Sequence, residues 1–329
     1  MKKKISLIIP SYNDKKKLLK LLNSINNWNV YPDEIIVIDS SKKKLLIPKD
    51  LQNFIKKQNI RLSIIYKNNL YPGNARNIGI NYSTNSMLAF LDTSTLPNSK
   101  WLQSGLEIMR KDNPEGVWGN TYYQADTYIS KLIRASTVGT TPIKTFPGSI
   151  LKKNIFNKCG LFIEYVRAGE DGDWRSRLEL HKINMSNSKE PLMYDKFNSM
   201  SISFLLKKWF RNYTYSSKLP FLRAHKDIYY YIVSLILIFF AYNWNNVFAS
   251  WDEESFFYIP NITKISASLI LISYFITRGV LIPKKKGVNL NFLFPINFIF
   301  VFFVSALLDV VKVSAFFFSK FNTKKLNND

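Results

Sequence analysis

Cysteine and histidine are scarce in this chain of 329 residues, which has one cysteine, Cys159, and two histidines, His181 and His225. A single cysteine excludes an internal disulfide and a multi-cysteine zinc site, and it fits a reducing compartment. The two histidines lie far apart in the sequence. They therefore offer little material for a histidine-based metal site or for a Ser-His-Asp triad.

Acidic residues are also few: 23 Asp and Glu stand against 46 Lys and Arg, which gives a formal charge of +23. Such an excess raises the possibility of nucleic-acid binding, because clustered Lys and Arg neutralise phosphates. No RNA-binding or DNA-binding signature accompanies the charge, and Lys, Asn and Ile are abundant along the whole chain. We therefore expect no nucleic-acid partner, and we attribute the charge to contact with an anionic membrane face.

A long apolar run is missing at the amino terminus. The stretch MKKKISLIIPSYN has about five apolar residues before Pro10, whereas a signal peptide needs an apolar run of about 7–15 residues. We therefore expect the first segment to be a strand and the amino-terminal domain to remain in the cytoplasm.

Short β-type runs alternate with amphipathic runs up to residue 120, without an internal repeat. This alternation predicts right-handed βαβ units and a mainly parallel sheet. The segment that follows predicts a short strand at 145–151 after a Pro-Gly turn, and a short helix at 153–159. The earlier predicted strands lie at 5–9, 35–38, 62–66 and 87–91, and the predicted helices lie near 15–25, 50–57 and 73–82.

Three of the predicted strands end in polar residues: Pro-Ser-Tyr-Asn at 10–13, Asp-Ser-Ser at 39–41 and Asp-Thr-Ser at 92–94. Each run alone is typical of an ordinary strand end followed by a turn. Together they indicate one site, because the carboxyl ends of parallel strands border a ligand-binding crevice. Asp39 is a candidate acceptor for a base or a ribose, Tyr12 offers a ring for stacking, and the carboxylate of the third run should lie at the mouth of the site.

Two predicted helix starts carry charged groups. In the first, Gly73 follows Pro72 and Arg76 lies in the first turn, which places backbone donors and a guanidinium where an anion binds. An ordinary capped helix with a solvated Arg is the alternative. The second helix starts at Glu170 and Asp171, where a fixed carboxylate would suit a general base. Acidic residues are also common in the first turn of a surface helix.

The last third of the chain is rich in apolar residues. A helix at about 201–215 mixes basic and aromatic residues, among them Trp209 and Arg211. This mixture suits the membrane interface, and the alternative is a core-packed helix with one wet face. Apolar runs at about 228–248 and 262–282 follow, and each is long enough to span a bilayer core of about 30 Å.

A third apolar run at about 292–318 contains Asp309 and Lys312. It predicts a third span, a hairpin, or a helix that lies in the interface from about Asp309 onward. The loop at 250–261 is acidic and the one at 284–286 is basic. By the positive-inside rule, the basic loop and the amino-terminal domain lie in the cytoplasm.

The amino-terminal part of the chain resembles the family-2 glycosyltransferases of the GT-A fold. The resemblance rests on the order and spacing of five segments: IIPSYN, EIIVIDSS, PGNARNIGI, LAFLDTSTLPNSKWL and GEDGDW. It implies an α/β domain of GT-A type at 1–222, with a mainly parallel nucleotide-sugar-binding sheet flanked by helices. We expect a membrane domain with two or three transmembrane helices at 223–329. The resemblance further implies a nucleotide-diphosphate sugar as donor, transfer with inversion at the anomeric carbon, and Mg²⁺ or Mn²⁺ as cofactor.

The resemblance also implies roles for residues that match the family motifs. Asp92 corresponds to the first residue of the Asp-x-Asp metal motif, and Asp171 corresponds to the general base. The expected donor-binding residues are Pro10, Tyr12, Asn13, Asp39, Gly73, Arg76, Asn77 and Asp92, with Asp92 also the metal ligand, and the expected catalytic residues are Asp171 and Glu170. The residues expected on the acceptor or membrane side are Trp174, Arg175, Trp209 and Arg211.

Two positions depart from the family pattern. Ser40 stands where the family often has a second acidic residue beside Asp39, and Ser94 stands in place of the second Asp of the metal motif. A hydroxyl is a weaker ligand than a carboxylate for a hard cation. A weakly metal-dependent enzyme, a metal-independent enzyme and a non-catalytic relative are therefore the three alternatives. Retention of Asp92 and Asp171 favours an enzyme.

The sequence favours a membrane-anchored inverting glycosyltransferase of hexosyltransferase type. It would move a sugar from a nucleotide-diphosphate sugar to a lipid-linked or surface-glycan acceptor, in polysaccharide or cell-envelope biosynthesis. We expect an integral protein of a bacterial-type cytoplasmic membrane with its catalytic domain in the cytoplasm. The alternative is a non-catalytic membrane scaffold or nucleotide-binding protein with a GT-A-like fold, which would bind a nucleotide without consuming the sugar.

Overall fold

A computed structural model describes residues 4–42, 44–219 and 226–321, and its amino-terminal part is built on a nine-stranded sheet. Four parallel strands form one side of this sheet in the order β3-β2-β1-β4, which confirms the four predicted strands. They are β1 (Ile5–Ser11), β2 (Glu34–Asp39), β3 (Arg61–Tyr66) and β4 (Met87–Phe90). The predicted crossover helices are α1 (Lys15–Ser24), α2 (Lys49–Lys57) and α3 (Pro72–Tyr82).

The other side of the sheet is mixed rather than parallel. Strand β7 (Ile143–Lys152) runs antiparallel to β4 and to β6 (Gly116–Tyr123), so it reverses the strand direction beside the centre of the sheet. This long strand contains the short strand predicted at 145–151. The remaining strands are β5 (Thr95–Leu96), β8 (Met185–Asn187) and β9 (Leu192–Tyr194).

Pro147 and Gly148 lie inside β7, so the prediction of a Pro-Gly turn before the strand is wrong. The reason is a bulge, because the pairing of β6 with β7 shifts register between Val117 and Gly119. A β-carbon on Gly119 would lie 1.9 Å from the Pro147 carbonyl oxygen, and Gly148 has a φ of +91°. Glycine at both positions therefore allows a bend that a side chain would block.

Helices cover both faces of the sheet. On one face, α1, α2 and α4 (Trp101–Lys111) pack over aliphatic residues, with the rings of Trp28 and Trp101 edge to face. The opposite face carries α3, α6 (Ile155–Cys159) and α7 (Glu170–Leu180). The short helix predicted at 153–159 is α6. An aromatic cluster around Trp174 fixes the first turns of α7 on this face.

The carboxyl-terminal part of the chain is helical. The predicted basic and aromatic helix is α8, and the apolar runs predicted at 228–248 and 262–282 coincide with α9 and with α10 and its continuation. The helices are α5 (Tyr128–Ser136), α8 (Ile202–Ser216), α9 (Lys226–Ala249), α10 (Ile262–Ile276), α11 (Ile282–Lys285), α12 (Leu290–Leu293) and α13 (Asn297–Phe321), with a π-helical turn at Thr277–Leu281 between α10 and α11.

Helix α13 is the one helix in the described part of the chain that is long and apolar enough to cross a membrane. It continues through Asp309 and Lys312 without a break. Of the predicted alternatives for this run, a membrane span and an interfacial helix are compatible with the structure. A hairpin that turns at Asp309 is not compatible with it.

Helix α13 packs against α5 and α8. Val304 and Leu308 share an apolar cluster with Ile133 of α5 and Leu205 of α8. Val301 joins a second cluster with other residues of α5. The predicted domain boundary at 222 lies outside the described residues. The helices on its two sides are nevertheless joined by continuous apolar packing.

Candidate active site

A cavity of about 660 Å³ opens at the carboxyl ends of β1, β2 and β4, and α8 lines its far side. The polar runs after these three strands all reach it, through Tyr12, Ser40 and Asp92. The structure thus brings the three strand ends to one crevice, as the sequence predicts. Asp171 and Trp209 contribute to other parts of the wall.

Arg76 projects from the first turns of α3 into this cavity, although only 4% of the residue is exposed. Its Nη1 donates to Oε1 of Glu170 at 2.6 Å, and its Nη2 donates to Oδ1 of Asp92 at 3.3 Å. The guanidinium also lies 5.0 Å from the ring centroid of Phe146. Burial alone would lower the pKa of Arg76, but the nearby carboxylates outweigh burial and raise it above its ordinary value. The site therefore contains a permanent buried cation.

The adjacent carboxylates Glu170 and Asp171 have different surroundings at the start of α7. Glu170 is 5% exposed and pairs with Arg76. Burial raises the pKa of Glu170, and the guanidinium of Arg76 opposes that rise. Asp171 is exposed, and its Oδ1 accepts the backbone N–H of Gly172 at 2.9 Å. Of the pair, Asp171 is therefore the carboxylate that a bound molecule can reach.

The first two strand ends provide polar and aromatic groups. Asp39 is 1% exposed; its Oδ1 accepts a hydrogen bond from the Ser41 hydroxyl at 2.6 Å. Its Oδ2 is buried and has no partner among the described residues, and the same holds for the hydroxyl of Ser11. Unpaired buried oxygens of this kind are costly unless a ligand pairs with them. Tyr12, by contrast, is 54% exposed and presents its ring beside Pro10.

Four residues predicted to bind the donor are not among those that line the cavity: Asn13, Asp39, Gly73 and Asn77. Asn77 instead donates to the backbone oxygen of Phe162 and accepts its N–H, both at 2.9 Å. A β-carbon on Gly73 would lie 2.3 Å from the backbone oxygen of Ile163. Both residues thus hold the loop at 162–165, which leads to Asp171. The backbone N–H of Asn13 donates to Ser41, which fixes the turn after β1.

The four residues predicted on the acceptor or membrane side divide into two groups. Trp209 and Arg211 of α8 line the cavity. Trp174 is fully buried in the aromatic cluster, and its Nε1 donates to the Gly160 carbonyl. Arg175 is exposed outside the cavity and pairs with Glu179 at 3.1 Å. Helical periodicity explains why these two neighbours differ, because consecutive residues of a helix point in different directions. Trp174 lies on the face of α7 that packs against the core, and Arg175 lies on the exposed face.

Residues without a predicted role also line the cavity, among them Arg167 and Tyr123. The guanidinium of Arg167 lies 5.8 Å from the ring centroid of Tyr12. Burial, together with Asp171 and Asp92, raises the pKa of Tyr123 to about 12, so its hydroxyl stays protonated. Arg167 stands four residues before Asp171 in the sequence, which is a usable signal. No sequence pattern near Tyr123 indicates that it lines the cavity, because β6 reaches the cavity only through its antiparallel pairing with β7.

The fit of a divalent cation depends on Asp92. Within the described residues, no three His, Cys, Asp or Glu side chains come together as a metal-binding group. One oxygen of Asp92 accepts from Arg76, and Ser94 beside it offers only a hydroxyl. Mg²⁺ is commonly held by one or two carboxylates together with substrate phosphates and water. The residues present therefore fit a cation that a bound diphosphate helps to hold.

Comparison with known proteins agrees with this geometry. The sequence model of "Glycosyl transferase family 2" matches residues 6–161. An uncharacterized glycosyltransferase of Rickettsia bellii is 28% identical over 186 residues, covering 51% of this chain and 25% of that protein. Glycosyltransferase AglE of Haloferax volcanii is 27% identical over 187 residues, covering 53% of this chain and 60% of AglE. The chain thus spans between a quarter and three fifths of these relatives.

A solved structure has the same fold. The mannosyltransferase PcManGT from Pyrobaculum calidifontis, in complex with GDP-Man and Mn²⁺, superposes with a TM-score of 0.50 at 11% sequence identity. The superposition covers 95% of this chain and 88% of that one. The matched segment contains β1 to β4, α3 and Asp92, so residues 6–161 are similar to glycosyl transferase family 2, and the fold is of GT-A type.

Proposed function

We propose that this protein transfers a sugar, of hexosyl type, from a nucleotide-diphosphate sugar to an acceptor hydroxyl or phosphate, with inversion at the anomeric carbon. One observation carries the proposal: Asp92, Arg76 and the exposed carboxylate of Asp171 line the same cavity. A donor at the strand ends would then have a buried cation near its phosphates. An acceptor on the other side would have a carboxylate to receive its proton.

The reaction is a single displacement. The acceptor oxygen forms a bond to the anomeric carbon while the bond from that carbon to the diphosphate breaks. Asp171 takes the proton that the acceptor oxygen loses, if that oxygen is a hydroxyl. Arg76 offsets the charge that develops on the leaving diphosphate, because Asp92 and Glu170 hold its guanidinium in place before the reaction begins.

The donor side supports a nucleotide ligand. The exposed ring of Tyr12 suits stacking on a base, and the unpaired Oδ2 of Asp39 suits a donor group of the base or the ribose. Asn13, Gly73 and Asn77 would act indirectly, through the turn and the loop that they fix.

Mg²⁺ or Mn²⁺ is proposed as a cofactor that binds with the donor. The free oxygen of Asp92 and the hydroxyl of Ser94 would hold it, and it would supply charge neutralisation for the diphosphate. Arg76 already supplies one positive charge at this place. We therefore expect turnover to depend less on the metal than a pair of Asp ligands would require.

The acceptor side supports an anionic acceptor at a membrane. Arg167 and Arg211 line the cavity, and neither pairs with a carboxylate among the described residues. Burial, followed by the like charge of Arg167, lowers the pKa of Arg211. A phosphate of a lipid-linked sugar or polyprenyl phosphate would relieve this repulsion.

Membrane association is part of the proposal. Large apolar side chains are exposed along α13, and α13 is joined to α8, which lines the cavity. An acceptor carried by lipid would therefore reach the cavity from the side where the apolar helices lie. We further propose a cytoplasmic catalytic domain on a bacterial-type membrane, because the loop at 284–286 is basic and the one at 250–261 is acidic, and a role in polysaccharide or cell-envelope biosynthesis. The apolar residues in question are Phe300, Phe303, Leu307, Val310 and Phe317.

A non-catalytic nucleotide-binding scaffold is the second candidate, and Ser94 is the observation that favours it. The two candidates differ in one property. An enzyme consumes the donor, whereas a scaffold binds nucleotide and leaves the sugar attached.

The test uses the full chain purified in detergent, a panel of nucleotide sugars, and Mg²⁺, Mn²⁺ or EDTA. We expect turnover of one donor, reduced but not abolished by EDTA. Nucleotide binding without donor consumption, with lipid-linked and free acceptors both supplied, would overturn the enzymatic proposal in favour of the scaffold. An Arg211→Ala variant should lose activity with a lipid-linked acceptor, and unchanged turnover would contradict the acceptor assignment.

A further inference from the structure

Lys312 lies on α13 and does not line the cavity, yet it contacts two residues that do. Its Nζ is 5.2 Å from the ring centroid of Trp209 and 5.6 Å from that of Tyr213. The two rings stack on each other, with 5.6 Å between centroids and 23° between planes. The ammonium therefore approaches a stacked aromatic pair that forms part of the cavity wall.

The ammonium of Lys312 is held in place from behind. Oδ1 of Asp309, one turn earlier on α13, accepts its hydrogen bond at 3.2 Å. Asp309 is 3% exposed, and it also pairs with Arg278 at 2.7 Å and accepts from the hydroxyl of Tyr274 at 3.0 Å. A buried carboxylate with this many donors has one orientation. Lys312 is thus fixed to the helices that precede α13.

Helices α8 and α13 are also joined on the carboxyl-terminal side of this contact. The hydroxyl of Ser217 donates to that of Ser319 at 2.6 Å, and the ring of Phe210 contacts that of Phe318. One face of α8 therefore rests on α13 while the other borders the cavity. A shift of α13 would move Trp209 and Tyr213 with it.

A second lysine on the same helix serves as a comparison. Lys320 lies 4.7 Å from the ring centroid of Phe316, on its own helix, and is exposed. Neither Lys320 nor Phe316 is among the residues that line the cavity. Both Lys312 and Lys320 of α13 thus make a cation–π contact, the first with residues of the cavity wall and the second away from the cavity.

We propose that Lys312 is a positioning residue, which orients the Trp209 and Tyr213 rings for binding of the acceptor's sugar ring. The ammonium of Lys312 lies against one part of the Trp209 and Tyr213 pair. The part of the pair that lines the cavity would contact the apolar face of a sugar. The charge of Lys312 favours the stacked arrangement of the two rings. The hydrogen bond to Asp309 fixes the position of the ammonium, and the ammonium in turn fixes the position of the rings. The carboxyl-terminal helices would then determine acceptor affinity without touching the acceptor.

This proposal rests on the proposed function for its consequence, but the positioning itself is measurable without turnover. We would record ¹⁹F spectra of the full chain in detergent with 5-fluorotryptophan incorporated, and assign the Trp209 resonance by its loss in Trp209→Phe. Lys312→Met should shift or broaden that resonance. Lys320→Met should leave it unchanged, and Lys312→Arg should largely restore it, because Arg also stacks on aromatic rings and pairs with a carboxylate. An unshifted resonance in Lys312→Met would overturn the proposal.

The consequence is tested by kinetics in a double-mutant cycle. Lys312→Met should raise the KM for the acceptor by about fivefold, the factor expected for one cation–π contact, and leave the KM for the donor unchanged. In a Trp209→Leu background the same substitution should have little further effect, because the ring through which it acts is gone. An equal effect in both backgrounds would overturn the proposal. If the wild-type protein consumes no donor, the proposed function fails, and the ¹⁹F result still decides whether Lys312 positions the ring.

Discussion

Arg76 and Glu170 form a buried ion pair at 2.6 Å, and the residue that follows Glu170 is exposed to the cavity. This relationship assigns different tasks to two adjacent carboxylates. Glu170 holds the guanidinium, so it is a poor proton acceptor for a ligand. Asp171 is left to receive a proton.

The two carboxylates should therefore respond differently to removal of their charge. Glu170→Gln should lower the free energy of unfolding by about 1.5–3 kcal/mol, because a buried charged hydrogen bond is weakened. Asp171→Asn should change stability by less than about 0.5 kcal/mol, because Asp171 is exposed. Denaturant titrations of both variants beside the wild type measure this. Equal losses of stability would contradict the assignment.

Replacement of Arg76 should damage both stability and turnover. Arg76→Met leaves Glu170 buried without its cation, which should cost about 3–5 kcal/mol of stability. Arg76→Lys keeps the charge but cannot bridge two carboxylates in the same way, so we expect a folded protein with reduced turnover. Arg110, which is exposed on α4, supplies the control variant Arg110→Lys. Melting curves and donor consumption are the measurements, and full activity in Arg76→Lys would count against the bridging role.

The ring of Tyr12 should contribute to nucleotide affinity without contributing to stability. Tyr12→Ala should weaken binding of the free nucleoside diphosphate by about 1–3 kcal/mol, the range for stacking of a base on an aromatic ring. Tyr82 is similarly exposed, at 58% against 54%, but does not line the cavity, so Tyr82→Ala is the control. Isothermal titration with both variants tests this. Equal affinities in the two variants would exclude stacking on Tyr12.

Glu34 should make folding stability depend on pH. It is 3% exposed, and it accepts hydrogen bonds from the Ser6 hydroxyl and the Thr84 backbone and pairs with Arg61. Burial opposes ionisation of Glu34, but these hydrogen bonds and Arg61 prevail and lower its pKa below the ordinary 4.5. A lowered pKa in the folded state stabilises the fold above pH 4.5, and this contribution is lost as the pH falls through the folded-state pKa.

The corresponding variant is Glu34→Gln, which should be less stable than the wild type at pH 7. The difference between the two should shrink as the pH falls below 4.5. Glu179→Gln, at an exposed position of α7, should show little difference at any pH. Urea titrations between pH 3 and pH 7 check both. A constant gap between wild type and Glu34→Gln would contradict the assigned cause.

The sequence predicts the parallel part of the sheet well because hydrophobic periodicity and strand ends are local properties. Local patterns of this kind point to Asp39, Asp92 and Arg76 as candidate site residues, and Asp92 and Arg76 line the cavity. The bulge at Gly119 and the reversal of β7 depend on pairing between distant segments, so periodicity does not reveal them. Tyr123 reaches the cavity only through that pairing, and its role could not be predicted.

Side-chain direction is the other quantity that local patterns do not provide. Trp174 and Arg175 lie in the same run as Asp171, yet the packing of α7 sends the first into the core and the second to the surface. Likewise, Lys312 interrupts an apolar run in the sequence. Its contact with Trp209 appears only when α8 and α13 come together.

The most direct test of the account compares donor affinity and donor turnover in one variant, Asp171→Asn, with Glu179→Gln as the matched control on the same helix. The nucleotide sugar that the wild type consumes is the substrate for both measurements. We predict an unchanged dissociation constant for the donor and a loss of turnover of about 10²–10⁴-fold in Asp171→Asn, the range for removal of a general base. Glu179→Gln should match the wild type in both. Turnover retained in Asp171→Asn would contradict the assignment of Asp171 as the general base.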